Sequence, residues 1–176
     1  MGIDIARYDP AWPEQFRVQA SRLTELLDPW LATPVEHIGS TSVPGLPAKP
    51  VLDMMAGVDD LHSAEEAIPV LTSHGYVHAQ HRPATLWFHK DRAGSVPEQN
   101  LHLTEPGSSL WRERLAFRDA LRADPVLARQ YEELKEQLAA DSGDIGVYTA
   151  GKREFVVQVL ARSGVIAEQW RQAGTT

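Results

Sequence analysis

A chain of 176 residues with 43% hydrophobic and 23% charged side chains has the composition of one globular domain large enough to bury a real core. Its 24 acidic against 17 basic side chains leave a net charge of −7, which argues against broad nucleic-acid binding but leaves room for a local basic cluster that holds a small anion. Cysteine is absent, which excludes disulfides, zinc–thiolate sites and thiol nucleophiles. With no signal-peptide pattern and no apolar stretch of spanning length, a cytoplasmic protein without membrane contact is expected.

In chain order, Trp12, Phe16, Ala20, Leu23, Leu26, Leu27 and Trp30 step by three and four, the spacing of a buried helix stripe, and Pro29 falls at its end. Val35–Ile38 reads as a short strand running into Gly39-Ser40-Thr41-Ser42, followed by turn residues Val43–Pro47. Lys49–Val58 is almost continuously apolar, which predicts a central strand buried on both faces. Asp59 or Asp60 then caps a helix through about Ser73, closed by Gly75. Tyr76–His81, Thr85–Lys90 and Asn100–Thr104 read as strands, with a loop or hairpin at Gly94–Pro97. Ser108 or Ser109 caps one helix and Asp124-Pro125 opens another, with Leu127, Tyr131, Leu134 and Leu138 on its stripe. Ser142–Gly146 breaks it, and a last helix turns Phe155, Val156, Val159 and Leu160 inward. The expectation is one α/β (α+β) domain over residues 1–176: a mixed β-sheet flanked by helices, with three helices at the C-terminal end.

The chemistry concentrates between His37 and Asp53. Glycine permits close backbone approach, and Ser40, Thr41 and Ser42 add hydroxyls beside free N–H groups, a concave nest for phosphate. A serine-rich turn that merely caps a helix uses the same residues. Asp53 lies inside the run Val51–Ala56, where an unpaired charge costs several kcal/mol. It therefore requires a metal, a lysine such as Lys49, or strong hydrogen-bond donors.

The stretch Glu36–Asp53, with its Gly-Ser-Thr-Ser-Val-Pro-Gly-Leu block, closely resembles the signature of the GrpB family, assigned to the nucleotidyltransferase superfamily with a polymerase-beta-like fold. The likeness continues through Asn100–Leu103, Leu115–Asp119, Leu121-Arg122, Tyr131–Lys135 and Tyr148–Lys152 to Glu154-Phe155. It is also similar to a domain fused to dephospho-CoA kinase in some bacteria. The resemblance implies a nucleotidyltransferase-like fold in which Gly39 and Ser40 hold a nucleotide triphosphate and Asp53 binds a divalent metal, with magnesium, manganese or zinc as the choices. The second carboxylate of that pattern falls on Met55, which cannot ligate magnesium, a hard cation that prefers oxygen.

Histidine offers other ligands: one aspartate, Asp53, with His37 and His102 would suit zinc, manganese or iron. His62, His74, His78, His81 and His89 read as surface or strand residues without a role. Arg114, Arg118 and Arg122, spaced by four, line one helix face as a phosphate clamp or a solvated row, with Arg118 foremost; Lys49 and Lys152 add charge. Trp87 and Phe88 read as core or dimer contacts rather than base-stacking platforms. Three functions follow: a metal-dependent nucleotidyltransferase-fold protein that takes a nucleotide or phosphorylated small molecule, with Asp53 catalytic; a non-catalytic ligand- or partner-binding module of that fold; or a His/Asp transition-metal enzyme. A homodimer is the default assembly.

Overall fold

The computed structural model describes residues 4–79, 82–141 and 144–165. Its centre is a five-stranded mixed sheet of order β1-β2-β5-β4-β3, formed by β1 (Glu36–Ile38), β2 (Val51–Gly57), β3 (Val77–Ala79), β4 (Leu86–Lys90) and β5 (Glu98–Thr104). Only β2 and β5 run parallel; the other neighbours are antiparallel. The mixed sheet flanked by helices is thus the architecture expected from sequence. The strand expected over Tyr76–His81 is shorter, and Gln80 and His81 lie outside the described residues.

Alternation assigns each strand residue to one of two faces. Met54, Ala56, Phe88, Leu101 and Leu103 look toward α1 (Trp12–Leu27) and α2 (Ala67–Ser73), closing the main core with Leu23, Leu27 and Leu71. Asp53, Met55, Asn100 and His102 occupy the opposite face, because Asp53 pairs with Asn100 and Met55 with His102. Four helices accompany that face: α3 (Ser109–Ala123), α4 (Pro125–Asp141), α5 (Ile145–Gly151) and α6 (Arg153–Arg162). Val43 and Leu46, from the turn after β1, join Leu121, Leu127, Tyr131 and Val159 in a second core. That core fixes the hydroxyl-rich loop against the C-terminal helices.

Two elements differ from the sequence expectation. The helix expected from Asp59 or Asp60 onward is α2 alone, preceded by a 3-10 turn at Ser63–Glu66 that Asp60 caps through the Ser63 N–H at 2.8 Å. Pro69 explains this: as third residue of α2 its missing N–H falls among first-turn donors that need no intrahelical partner, whereas a longer helix would place it inside. Among the described residues the C-terminal end has four helices rather than three, since α5 is started by Asp144, whose Oδ1 accepts from Gly146 and Val147 at 2.7 and 3.0 Å. Of the break expected at Ser142–Gly146, residues 142 and 143 lie outside the described residues. Among the described residues no helix is long and apolar enough to cross a membrane.

Candidate functional site

Gly39 ends β1 with φ +71, a conformation that L side chains rarely adopt, and turns the chain into a 3-10 turn over Ser40–Ser42. A Cβ at this position would lie 2.3 Å from Asp53 Oδ2, so glycine is also what lets the loop sit against the carboxylate. The three hydroxyls then part company. Thr41 is buried and donates to the Val51 carbonyl at 2.8 Å; Ser42 is buried and donates to the Gly39 carbonyl at 2.6 Å. Both were expected to hold phosphate; their protons go to carbonyls of the loop and of β2. Ser40 alone has its hydroxyl toward the helices, within hydrogen-bonding reach of the Tyr131 phenol.

Asp53 faces a cleft between the sheet and the C-terminal helices. Two cavities meet there, of about 210 and about 650 Å³, and both are lined by Ser40, Asp53, Thr149 and Lys152. The smaller is closed by Arg82, Glu113, Arg114 and Phe117; the larger by Lys49, Trp87, His89, Glu98, Asn100 and Tyr148. Asp53 Oδ1 accepts from Asn100 Nδ2 at 2.9 Å. Burial pushes its pKa up, while the Asn100 hydrogen bond and the positive charges of Arg114 and Lys152 oppose the rise. Burial likewise lowers the Lys152 ammonium to about 8, against the stabilising charge of Asp53, and its Nζ lies 4.1 Å from the centre of the Tyr148 ring.

Asn100 carries the network outward. Its Nδ2 is committed to Asp53, so its Oδ1 faces His89 Nδ1 at 3.3 Å and can only accept. His89 Nε2 meets the Asp91 carboxylate at 3.0 Å, another acceptor. Burial works against a charged ring, while the hydrogen bonds to Asp91 and Asn100 and the nearby Glu98 carboxylate raise the His89 pKa. His89, expected to have no role, stands at the rim of the larger cavity. Trp87 is also not a core residue: it lines that cavity half-buried, while Phe88, one residue on, is fully buried in the main core.

The expected histidine-rich metal site does not assemble. His37 pairs with Met54 and so points to the α1 face, away from Asp53, where its ring stacks on Phe16 at 4.5 Å and 9°. Thr41 gives its only proton to Val51, so His37 Nε2 must donate to Thr41 Oγ1 at 3.0 Å. Burial first, then Arg122 and Arg118, lower its pKa to about 4, which keeps the ring neutral. His102 shares the Asp53 face but is buried opposite Met55 and Trp87 and lines neither cavity. No group of three or more His, Cys, Asp or Glu suited to a metal occurs among the described residues.

The expectation about Arg118 also changes. Its Nη1 donates to Glu36 Oε2 at 2.6 Å and to the His37 carbonyl at 3.2 Å, and its Nε to Asp119 Oδ1 at 2.7 Å, which ties α3 to β1. Arg122 similarly holds the Ser42 carbonyl at 3.0 Å. Arg114, one turn earlier, is the member of the row that reaches the cleft. Arg118→Ala is expected to lower stability by about 1–3 kcal/mol, read by urea denaturation, because the bonds to Glu36 and His37 are lost from a mostly buried side chain. Ligand affinity should change far less than in Arg114→Ala. The exposed Lys49 pairs with Glu98 at 3.6 Å on the rim of the larger cavity.

A two-metal centre does not fit this donor set. Met55, at the second carboxylate position, is fully buried; the neighbour level with Asp53 is an amide that donates to it; and three basic side chains, Arg82, Arg114 and Lys152, share the cavity.

Known proteins place the chain clearly. The GrpB protein family model matches residues 2–162. A UPF0157 protein of Deinococcus radiodurans is 38% identical over 166 residues, which cover 92% of this chain and 83% of the relative. A dephospho-CoA kinase of Mycolicibacterium paratuberculosis is 31% identical over 183 residues, covering 88% of this chain and 44% of the kinase. The crystal structure of GrpB from Enterococcus faecalis superposes with a TM-score of 0.81 at 28% identity, over 98% of this chain and all of that one. The Cid1 poly(U) polymerase bound to MgATP aligns at a TM-score of 0.48 and 12% identity, over 74% of this chain and 45% of the polymerase. The chain belongs to the GrpB family.

Proposed function

We propose that this protein binds a nucleotide or a closely similar phosphorylated small molecule in the cleft between Ser40 and Lys152. The observation that carries the reading is the convergence of Ser40, Asp53, Arg114 and Lys152 on one cavity from four separate elements. A phosphate placed there meets a hydroxyl, a guanidinium and an ammonium, donors that match its oxygens in charge and geometry. The adjoining larger cavity supports a nucleoside as the rest of the ligand: the half-buried Trp87 offers a ring face, and Glu98 and Asn100 offer polar atoms. Asp53 places a negative charge near Arg114 and Lys152 and sets the polarity of the floor. Group transfer is not part of the proposal, because Met55 removes the second carboxylate on which metal-assisted nucleotidyl transfer relies.

Thermal shift and calorimetry with AMP, ribose 5-phosphate and adenosine test it. AMP should raise the melting temperature and adenosine should not, since the phosphate supplies most of the contact with Arg114 and Lys152. Arg114→Ala should abolish the AMP shift. Trp87→Ala should weaken AMP about tenfold while leaving ribose 5-phosphate unchanged, the loss expected for one base–aromatic stack. If no phosphorylated compound shifts the melting temperature, the reading is wrong.

A further inference from the structure

The resemblance to nucleotidyltransferases leads one to expect a divalent cation on Asp53, yet the surroundings of that carboxylate are arranged for the opposite charge. One oxygen, Oδ1, already accepts an N–H from Asn100 at 2.9 Å. The other lies so close to Gly39 that a Cβ there would stand 2.3 Å away. The strand neighbours two residues on, Met55 and His102, present a thioether and a buried imidazole, neither of them an oxygen ligand for a hard cation. Sites for such ions collect a surplus of acids. Along the walls of the two cavities Lys49, Arg82, Arg114 and Lys152 stand against Asp53, Glu98 and Glu113, so bases outnumber acids four to three.

We infer that the cleft takes its phosphoanion without a divalent metal, with Arg114 and Lys152 standing where a metal's charge would otherwise act. This rests on the function proposed above and goes beyond it. In this arrangement Asp53 is not a ligand of the anion: its negative charge acts on Arg114 and Lys152 only through space and opposes the anion rather than bridging to it.

The roles have opposite signs for one substitution. Asp53→Asn keeps the acceptor for Asn100 and nearly the same volume but removes the charge. Without a metal, loss of that charge should tighten the binding of inorganic pyrophosphate about fivefold, the effect of deleting one nearby like charge at intermediate dielectric. With a metal, the same change would remove its only carboxylate anchor and weaken binding. Calorimetry with pyrophosphate, in EDTA and then with magnesium, gives an independent arm that needs no variant. Binding in EDTA that magnesium does not tighten is expected, and Arg114→Gln and Lys152→Gln should each weaken it about tenfold there. Circular dichroism and melting temperature establish that the variants are folded. Binding seen only with magnesium, or weakened in folded Asp53→Asn, overturns the inference and leaves the proposed function standing. Absence of binding by pyrophosphate and AMP in either condition overturns both.

Discussion

Gly39→Ala is expected to lower stability by about 2–5 kcal/mol, combining a left-handed backbone forced on an L residue with overpacking of a filled space. The position has φ +71, and the added methyl would meet Asp53 Oδ2 at 2.3 Å and Asp53 Cβ at 2.8 Å. Neither neighbour yields freely: Asp53 is held by Asn100, and the loop beyond Gly39 is pinned by Thr41 and Ser42 to Val51 and Gly39. For a chain of this length the loss corresponds to a fall in melting temperature of roughly 5–15 °C. Because the strain is released by moving Asp53 or the loop, phosphate-ligand affinity should fall together with stability. A melting temperature within a degree or two of the parent, with affinity intact, would show that the loop and the carboxylate are not packed as described.

The second large effect is acid sensitivity from His37. Its folded-state pKa of about 4 lies below the ordinary value of 6.5, so on unfolding below pH 6.5 the chain gains a proton that the native state does not hold. The stability associated with a neutral His37 is thus complete above pH 6.5 and declines as pH falls through the window to about 4, by about 3 kcal/mol in all. Asp53 acts in the opposite sense, since its raised pKa means that the fold retains a proton to higher pH than the unfolded chain. His89, with a raised pKa, adds stability at low pH that is lost as pH rises through its folded value. His37→Gln separates these contributions. Its stability gap from the parent in urea should be widest at pH 7 and should close toward pH 4.5. A gap that stays constant across this range, or an imidazole resonance of His37 titrating near 6.5, would contradict the buried neutral ring stacked on Phe16.

The residues from which the site was legible in the sequence are contiguous. Gly39 and Ser40 at a strand end and Asp53 in an apolar run could be read because local chemistry requires them: a glycine for a turn, and a charge that must have partners if buried in β2. The mixed sheet with flanking helices was legible for a similar reason, since periods of two and of three to four survive in the sequence whatever the partners. The four-helix end was not, because α5 is a short helix set by one capping aspartate, Asp144, rather than by an apolar stripe.

What only the tertiary structure decided was which side chains meet. Helical spacing placed Arg114, Arg118 and Arg122 on one face, but each step of four residues advances by about 6 Å, so the docking of α3 across β1 gives each arginine a different partner. Arg118 reaches a strand carbonyl, Arg122 a loop carbonyl, and Arg114 the cleft. His37 was offered as a metal ligand together with Asp53 and His102, and the antiparallel register of β1 on β2 turned it to the other face. Asn100, which holds the Asp53 carboxylate, comes from 47 residues away through the parallel pairing of β2 with β5. The sequence alone determined that an acid and a loop glycine would exist, because those needs are local; strand register and helix docking, which are properties of the whole chain, determined that basic side chains from separate elements would line the cavities beside the acid, together with Glu98 and Glu113.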